Sequence, residues 1–299
     1  MLYNPYKQKD IFVCRHEAHR DFEYRVSAWH VLREKRCYPH GCIDFIWKCK
    51  LLSKGGTCHK GYQFVGTNCG QCRHYDEEKI QRYPELQVSE ERYQMFLRDC
   101  TLFDEWLEDH VGRQLEAGGR ITDIRPNLIR RVDGRRSVLT QRGFLIRLSP
   151  AYIARDGFDD ALYLRISNAQ QKRHRLAVYD SIECHGWIRF HRGRIVIEDT
   201  RRFFVDERGG GEPATWDRAL LDRINAVTLE GQPGRCMQCE RGVLVDVEDG
   251  SQRRRSPRRE MLCLEGIGRP RECPYEIMQA MHDGRRPDSV PAPSDSVQK

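Results

Sequence analysis

From residue 89 the apolar positions recur at helical spacing. Tyr93, Phe96, Leu97, Cys100, Phe103, Trp106 and Leu107 return every three or four residues. Ser89 can cap the first turn, and Glu90 and Glu91 suit the positive end of the helix dipole. The spacing predicts a helix over 89–110, with its aromatic face a packing surface and Cys100 a buried thiol. The stretch "DFEYRVSAWHVLREKR" puts Phe22, Val26, Trp29 and Leu32 or Arg33 on one side and predicts another helix. Between these, "CKLLSKGGTCHKGYQFVGTNCGQC" is glycine-punctuated and reads as turns, with one short strand over 62–65. After residue 113 the period shortens. "GRITDIRPNLIRRV", "RGFLIRLSPAYI" and "ALYLRIS" read as strands, and "NAQQKRHRLA" as a short helical or turn segment. Then Ile182, Cys184, Trp187 or Ile188, and Phe190 precede a turn at 191–193, and Ile195 and Ile197 follow it, the alternation of a hairpin.

Three strands, a short helix and two further strands is the order of an OB-fold barrel. The stretch "GWIRFHRGRIVIED" closely resembles the last hairpin of such barrels. The resemblance covers about 95 residues and is one of pattern. It implies a mainly β protein with α additions: an OB-like five-stranded barrel over 113–206, preceded by a Cys/His-rich module (1–78) and a helical segment (79–112). A glycine-rich linker (207–215) leads to a C-terminal, ribbon-like module with four cysteines (216–282), and the polar, proline-bearing 283–299 is expected to be disordered.

Composition sharpens this layout. The chain has 299 residues, 39% hydrophobic and 32% charged, a thin supply for large cores. No apolar run approaches the roughly 18 residues that a membrane helix needs. The opening lacks the basic-then-apolar order of a signal peptide, so a cytoplasmic protein with reduced thiols is expected. Thirteen cysteines is an odd number, against full disulfide pairing. Cys14, Cys37, Cys42, Cys49, Cys58, Cys69 and Cys72 crowd the head, and Cys236, Cys239, Cys263 and Cys273 the tail. Only Cys100 and Cys184 lie between.

Cys236 and Cys239 stand two residues apart and lead into Arg241-Gly242-Val243-Leu244, a turn running into a strand. This resembles the knuckle of zinc ribbons, where one turn aims two thiolates at an ion. Cys263 and Cys273 would complete four ligands after a hairpin through "DGSQRRRSPRRE". Their nine-residue separation exceeds that of a standard ribbon. Cys273 also precedes Pro274, as the last cysteine of some iron–sulfur motifs precedes a proline, so zinc and a [4Fe-4S] cluster both stay open. In the head, seven cysteines with one histidine would complete two four-ligand sites, and His40 and His59 are the histidines set among the cysteines. A single site with idle thiols remains the simpler alternative. Cys69 and Cys72, within "NCGQC", form the spacing of a redox dithiol, but no βαβ unit surrounds them, and metal ligation fits the five neighbouring cysteines better.

The formal charge is +7, which favours an anionic partner. Trp187, Arg189, Arg192 and Arg194 on the expected barrel hairpin, and Arg253, Arg254, Arg255, Arg258 and Arg259 on the tail loop, are the candidate contacts to RNA or single-stranded DNA. The bland alternative is a solvated charged face over core aromatics. No phosphate-binding glycine loop, nucleophile elbow or dinucleotide fingerprint is present. The expectation is a metal-stabilised nucleic-acid-binding protein, more a binder than an enzyme. The alternatives are an iron–sulfur protein for electron transfer or redox sensing, and a scaffold subunit with protein partners.

Overall fold

The computed structural model describes residues 1–133, 136–215, 226–229, 236, 239, 241–249, 258–269 and 273. The chain divides into two compact units, Met1–Arg125 with Gly143–Ala214, and Pro126–Arg142 with Thr215–Lys299. In order, the elements are β1 (Phe12–Val13), β2 (Arg25–Val26), β3 (Cys42–Cys49), β4 (Tyr75–Arg82), β5 (Glu85–Leu86), α1 (Glu90–His110), β6 (Gln114–Asp133), β7 (Arg136–Ile153), β8 (Asp156–Phe158), β9 (Leu162–Ile166), α2 (Asn168–His174), β10 (Ser181–His191), β11 (Arg194–Glu207), β12 (Val227–Thr228), β13 (Gly242–Asp249) and β14 (Arg258–Cys263). No described helix is long and apolar enough to cross a membrane.

The first unit is built on a large mixed sheet. β10 pairs antiparallel with β6 and β11, β11 runs parallel to β9, and β9 and β8 flank β7. β6 and β7 also pair with each other. The chain is mainly β with a large sheet, as expected, but the five strands expected to form a barrel are members of that larger sheet and do not close into a barrel of their own. β6 and β7, at 20 and 18 residues, are too long to end with a small barrel, and their facing ends belong to the second unit. The predicted hairpin forms, closing at His191↔Arg194. Arg192 and Gly193 both take positive φ, 51° and 74°, the two-residue turn that matches strand twist. Ile182, Cys184 and Ile188 of β10, Leu162, Leu164 and Ile166 of β9, and Phe144, Ile146 and Leu148 of β7 are buried at alternate positions.

α1 forms where its period predicts. Ser89 accepts from the Arg92 amide at 3.3 Å, and Tyr93, Phe96, Cys100, Phe103 and Trp106 are buried. Tyr6 joins this face, with ring centroids 5.7 Å from Trp29, 6.1 Å from Phe103 and 6.3 Å from Phe190. These contacts tie the N-terminus, α1 and β10 into one aromatic core.

Two expectations for the head need correction. The helix over 21–36 is broken: a 3₁₀ turn spans Glu17–Phe22, β2 follows, and a π-helical turn covers His30–Glu34. Pairing of Val26 with Phe12 wins over helical propensity, and Glu23 and Tyr24 take positive φ to enter the strand. No strand forms over 62–65. Instead β3 pairs antiparallel with β4, from Cys42↔Arg82 to Cys49↔Tyr75. This leaves Ile43, Phe45 and Trp47 exposed along one face of β3.

The expected linker is pinned. Asp180, 1% exposed, accepts from the amides of Ala177 at 3.0 Å and Gly209 at 2.9 Å, and from Arg208 Nη1 at 3.0 Å. Asp180→Ala leaves these donors without their acceptor and should cost about 2–3 kcal/mol in urea unfolding. A loss below about 0.5 kcal/mol, the range of an ordinary surface substitution, would mean that solvent replaces the carboxylate.

In the second unit, β13 pairs antiparallel with β14 and parallel with β6, and β12 joins β14. The predicted return hairpin is present as β13 and β14; Arg253, Arg254 and Arg255 lie outside the described residues, as does 283–299. Among the described residues of this unit, Leu128, Val243, Val245, Leu262 and Leu264 form one buried cluster with Leu139 and Ala226 packed against it, and Ile129, Leu229, Val247 and Met261 are also buried.

Candidate metal centres and nucleic-acid interface

The tail cysteines converge. Cys236, Cys239, Cys263 and Cys273 all line one cavity of about 30 Å³, together with Leu229, Arg241, Gly242 and Ile267. β13 starts three residues after Cys239, and β14 ends on Cys263, so the β13–β14 ladder brings the two halves together at Gly242↔Cys263. Each half carries a tight turn: the Gly242 amide donates to Cys239 O at 3.0 Å, and the Gly266 amide to Cys263 O at 3.3 Å. A side chain at Gly242 would collide with the Cys236 carbonyl.

A turn from a cysteine to a glycine three residues on recurs in the head. The Gly61 amide donates to Cys58 O at 2.9 Å, and the Lys60 amide to Cys58 Sγ at 3.4 Å. Cys69 starts a similar turn, with the Cys72 amide on its carbonyl at 2.8 Å. Sequence reasoning missed this signal, a glycine three residues after Cys58, Cys239 and Cys263. Cys58, Cys69, Cys72 and Cys49 are half-buried. Cys14, Cys37 and Cys42 form a separate neighbourhood. Burial, then the nearby Cys14 and Cys37 thiols, push the Cys42 thiol up to about 11, and burial with Cys14 raises Cys37. His40 and His59 are exposed, and the His59 ring lies 6.2 Å from that of His74. Among the described residues, no group of three or more His, Cys, Asp or Glu side chains already stands together so as to hold a metal ion.

The two isolated cysteines differ from these. Burial raises the Cys100 thiol to about 12, with Asp104 adding to it, and the Cys184 thiol to about 12, with Glu183 adding to it. Both are inert packing thiols.

On the hairpin, Trp187 and Arg189 point to the outer side of β10, on either side of buried Ile188. The Arg189 guanidinium lies 5.6 Å from the Trp187 ring centroid, and that of Arg194 lies 5.1 Å from the Tyr163 ring. Arg192 forms the turn. Arg201 sits opposite His185 on β11, and Phe204, opposite Glu183, is 56% exposed. Many arginines are already neutralised: Arg125 by Asp123, Arg130 by Glu260, Arg131 and Arg142 by Glu248, Arg165 by Glu198, Arg208 by Asp180. Arg259 of the tail cluster is held by Asp246 at 2.8 Å, and Arg258 begins β14. Arg189, Arg201 and Arg202 have no carboxylate at ion-pair distance among the described residues. A groove of about 310 Å³ in the same unit is lined by Gly119, Arg120, Pro150, Ala151, Tyr152, Ser181 and Glu207.

Comparison with known proteins gives no match: no family model, curated sequence or solved structure is significantly similar to this chain.

Proposed function

We propose that this chain is a metal-stabilised binding protein for RNA or single-stranded DNA. In this reading the stretch of the large sheet made by β6, β10, β11, β9 and β7, with its one parallel contact between β9 and β11, serves as an OB-like binding surface. The observation that carries the ligand class is the outer side of the β10–β11 hairpin. It combines a ring, Trp187, under Arg189 with the cations Arg201 and Arg202, which no described carboxylate neutralises. Rings can stack on bases while cations meet phosphates. Arginines spent on internal carboxylates do not contribute, which weakens the part of Arg259 in the tail cluster.

The metal reading is supported by the meeting of all four tail cysteines at one small cavity, beside a modest cluster of buried residues. Zinc is favoured over an iron–sulfur cluster there. The tight turns that follow Cys239 and Cys263 resemble zinc knuckles, which aim thiolates at a single ion. Cys236, Cys239, Cys263 and Cys273 would hold the ion, and binding coupled to folding would bring their thiolates together. An iron–sulfur preparation would be brown, and a zinc preparation colourless.

Fluorescence anisotropy with a single-stranded oligonucleotide, at several salt concentrations, tests the ligand class. Binding should weaken as salt rises, and serine at Arg189, Arg201 and Arg202 together should reduce the magnitude of the log–log salt slope by about 2. Trp187→Ala should cost about 1–3 kcal/mol of binding. Absence of binding at low salt ends this reading.

A further inference from the structure

Two histidines outside the cysteine clusters face each other. His19 lies in the Glu17–Phe22 turn, and His30 opens the His30–Glu34 turn. Their Nε2 atoms are 3.1 Å apart, with the rings edge-on at a centroid distance of 5.0 Å. The opposite nitrogens decide the tautomers. His19 Nδ1 faces the Cys14 carbonyl oxygen at 3.4 Å, and His30 Nδ1 faces Glu34 Oε2 at 3.3 Å. A carbonyl and a carboxylate can only accept, so both contacts are satisfied when each Nδ1 carries the hydrogen. In two neutral rings, both Nε2 atoms then direct lone pairs at one another. That arrangement repels unless a cation lies between them.

We infer that His19 and His30 together bind a divalent, zinc-like metal ion through their Nε2 atoms. Two imidazole nitrogens bound at about 2.0–2.1 Å to one tetrahedral ion stand roughly 3.3 Å apart, close to the separation present before any adjustment. The Nδ1 contacts are also those that metal-bound histidines make, one to a backbone carbonyl and one to a carboxylate, which hold ring orientation and raise ligand basicity. The remaining positions are left to water or an incoming ligand. His16 is a neighbour, its ring 5.6 Å from that of His19, but its Nε2 faces Asp44 at 3.6 Å. The site shares no side chain with the cysteine clusters.

Cadmium titrated into the native full-length protein, followed by cadmium NMR, tests this. A resonance in the nitrogen- and oxygen-ligand range should appear and vanish in His30→Ala, while thiolate resonances report separately on the cysteine sites. Glu34→Gln leaves both ligands in place on an exposed turn, and should weaken binding at this resonance ten- to a hundredfold. No such resonance while thiolate signals form, or unchanged binding in both variants, overturns the inference and leaves a proton shared between the rings.

Discussion

Chelation of the native protein is expected to unfold the second unit while the first stays folded, and Cys239→Ser to do the same without a chelator. The physical reason lies in how little else holds that unit. Its buried apolar residues among those described are few, Leu128, Ile129, Leu229, Val243, Val245, Val247, Met261, Leu262 and Leu264, and several of its ion pairs, such as Arg131 with Glu248, are exposed and contribute little. A structural zinc contributes about 10–16 kcal/mol of apparent binding energy, comparable to what such a core supplies before the entropy cost of ordering the chain is subtracted. Removing one thiolate of four breaks the closed tetrahedron and releases most of that energy. Amide NMR spectra read the outcome: resonances of Val243, Val245 and Leu262 should collapse, and those of Ile146, Leu164 and Ile188 should persist. Elemental analysis should show one zinc fewer per chain. Cys100→Ser, at a buried thiol on α1 away from the other cysteines in sequence, is the control that keeps its metal. A second unit that keeps its dispersed spectrum after chelation would show that its apolar core suffices, and the metal reading would fall.

Gly143→Ala should cost at least about 4 kcal/mol, or roughly 8–16 °C in Tm. Gly143 sits at φ 116°, a conformation that L side chains rarely adopt. A Cβ there would also fall far inside van der Waals contact with the Ile166 carbonyl oxygen. That oxygen belongs to the β7–β9 ladder, in which Phe144 faces Ile166, so relief of the clash must break the pairing. Gly157→Ala is the matched control. It lies in β8, and an added Cβ meets only Met1 Cγ at 3.7 Å, an ordinary contact. Its effect should stay within about 0.5 kcal/mol. Equal melting temperatures for the two variants would show that β7 can shift at little cost.

The parts of the fold that were legible in the sequence depend on near neighbours. α1 follows from its three-four period and its Ser89 cap, and α2 falls within the expected helical or turn segment, where the structure adds a capping box between Ser167 and Gln170. The β10–β11 hairpin follows from alternation around a two-residue turn, and β13 from its position after the Cys239 turn. In the head, the same reasoning misleads. Val26 has helical neighbours in sequence but a strand partner in space, and β3 finds β4 only across a glycine-punctuated loop that no local spacing rule bridges.

The site divides in the same way. Which residues carry chemistry could be read directly: thiols in two blocks, arginines interleaved with rings. Which of them act together could not. Arg130 meets Glu260 across 130 positions, and Arg259 is taken by Asp246, so the available cations are those that the fold leaves without a carboxylate. His19 and His30 carry no recognisable spacing, and only the turns around β2 set their nitrogens face to face.

By itself, then, the sequence determined the periodic elements, the turn residues and the inventory of ligating and cationic side chains, because each depends on contacts within a few residues. Tertiary structure alone decided the pairing of distant strands, the meeting of the four tail cysteines at one cavity, and the choice between neutralised and available charge. Those outcomes turn on competition among partners far apart in the chain, and local propensities are too weak to rank them.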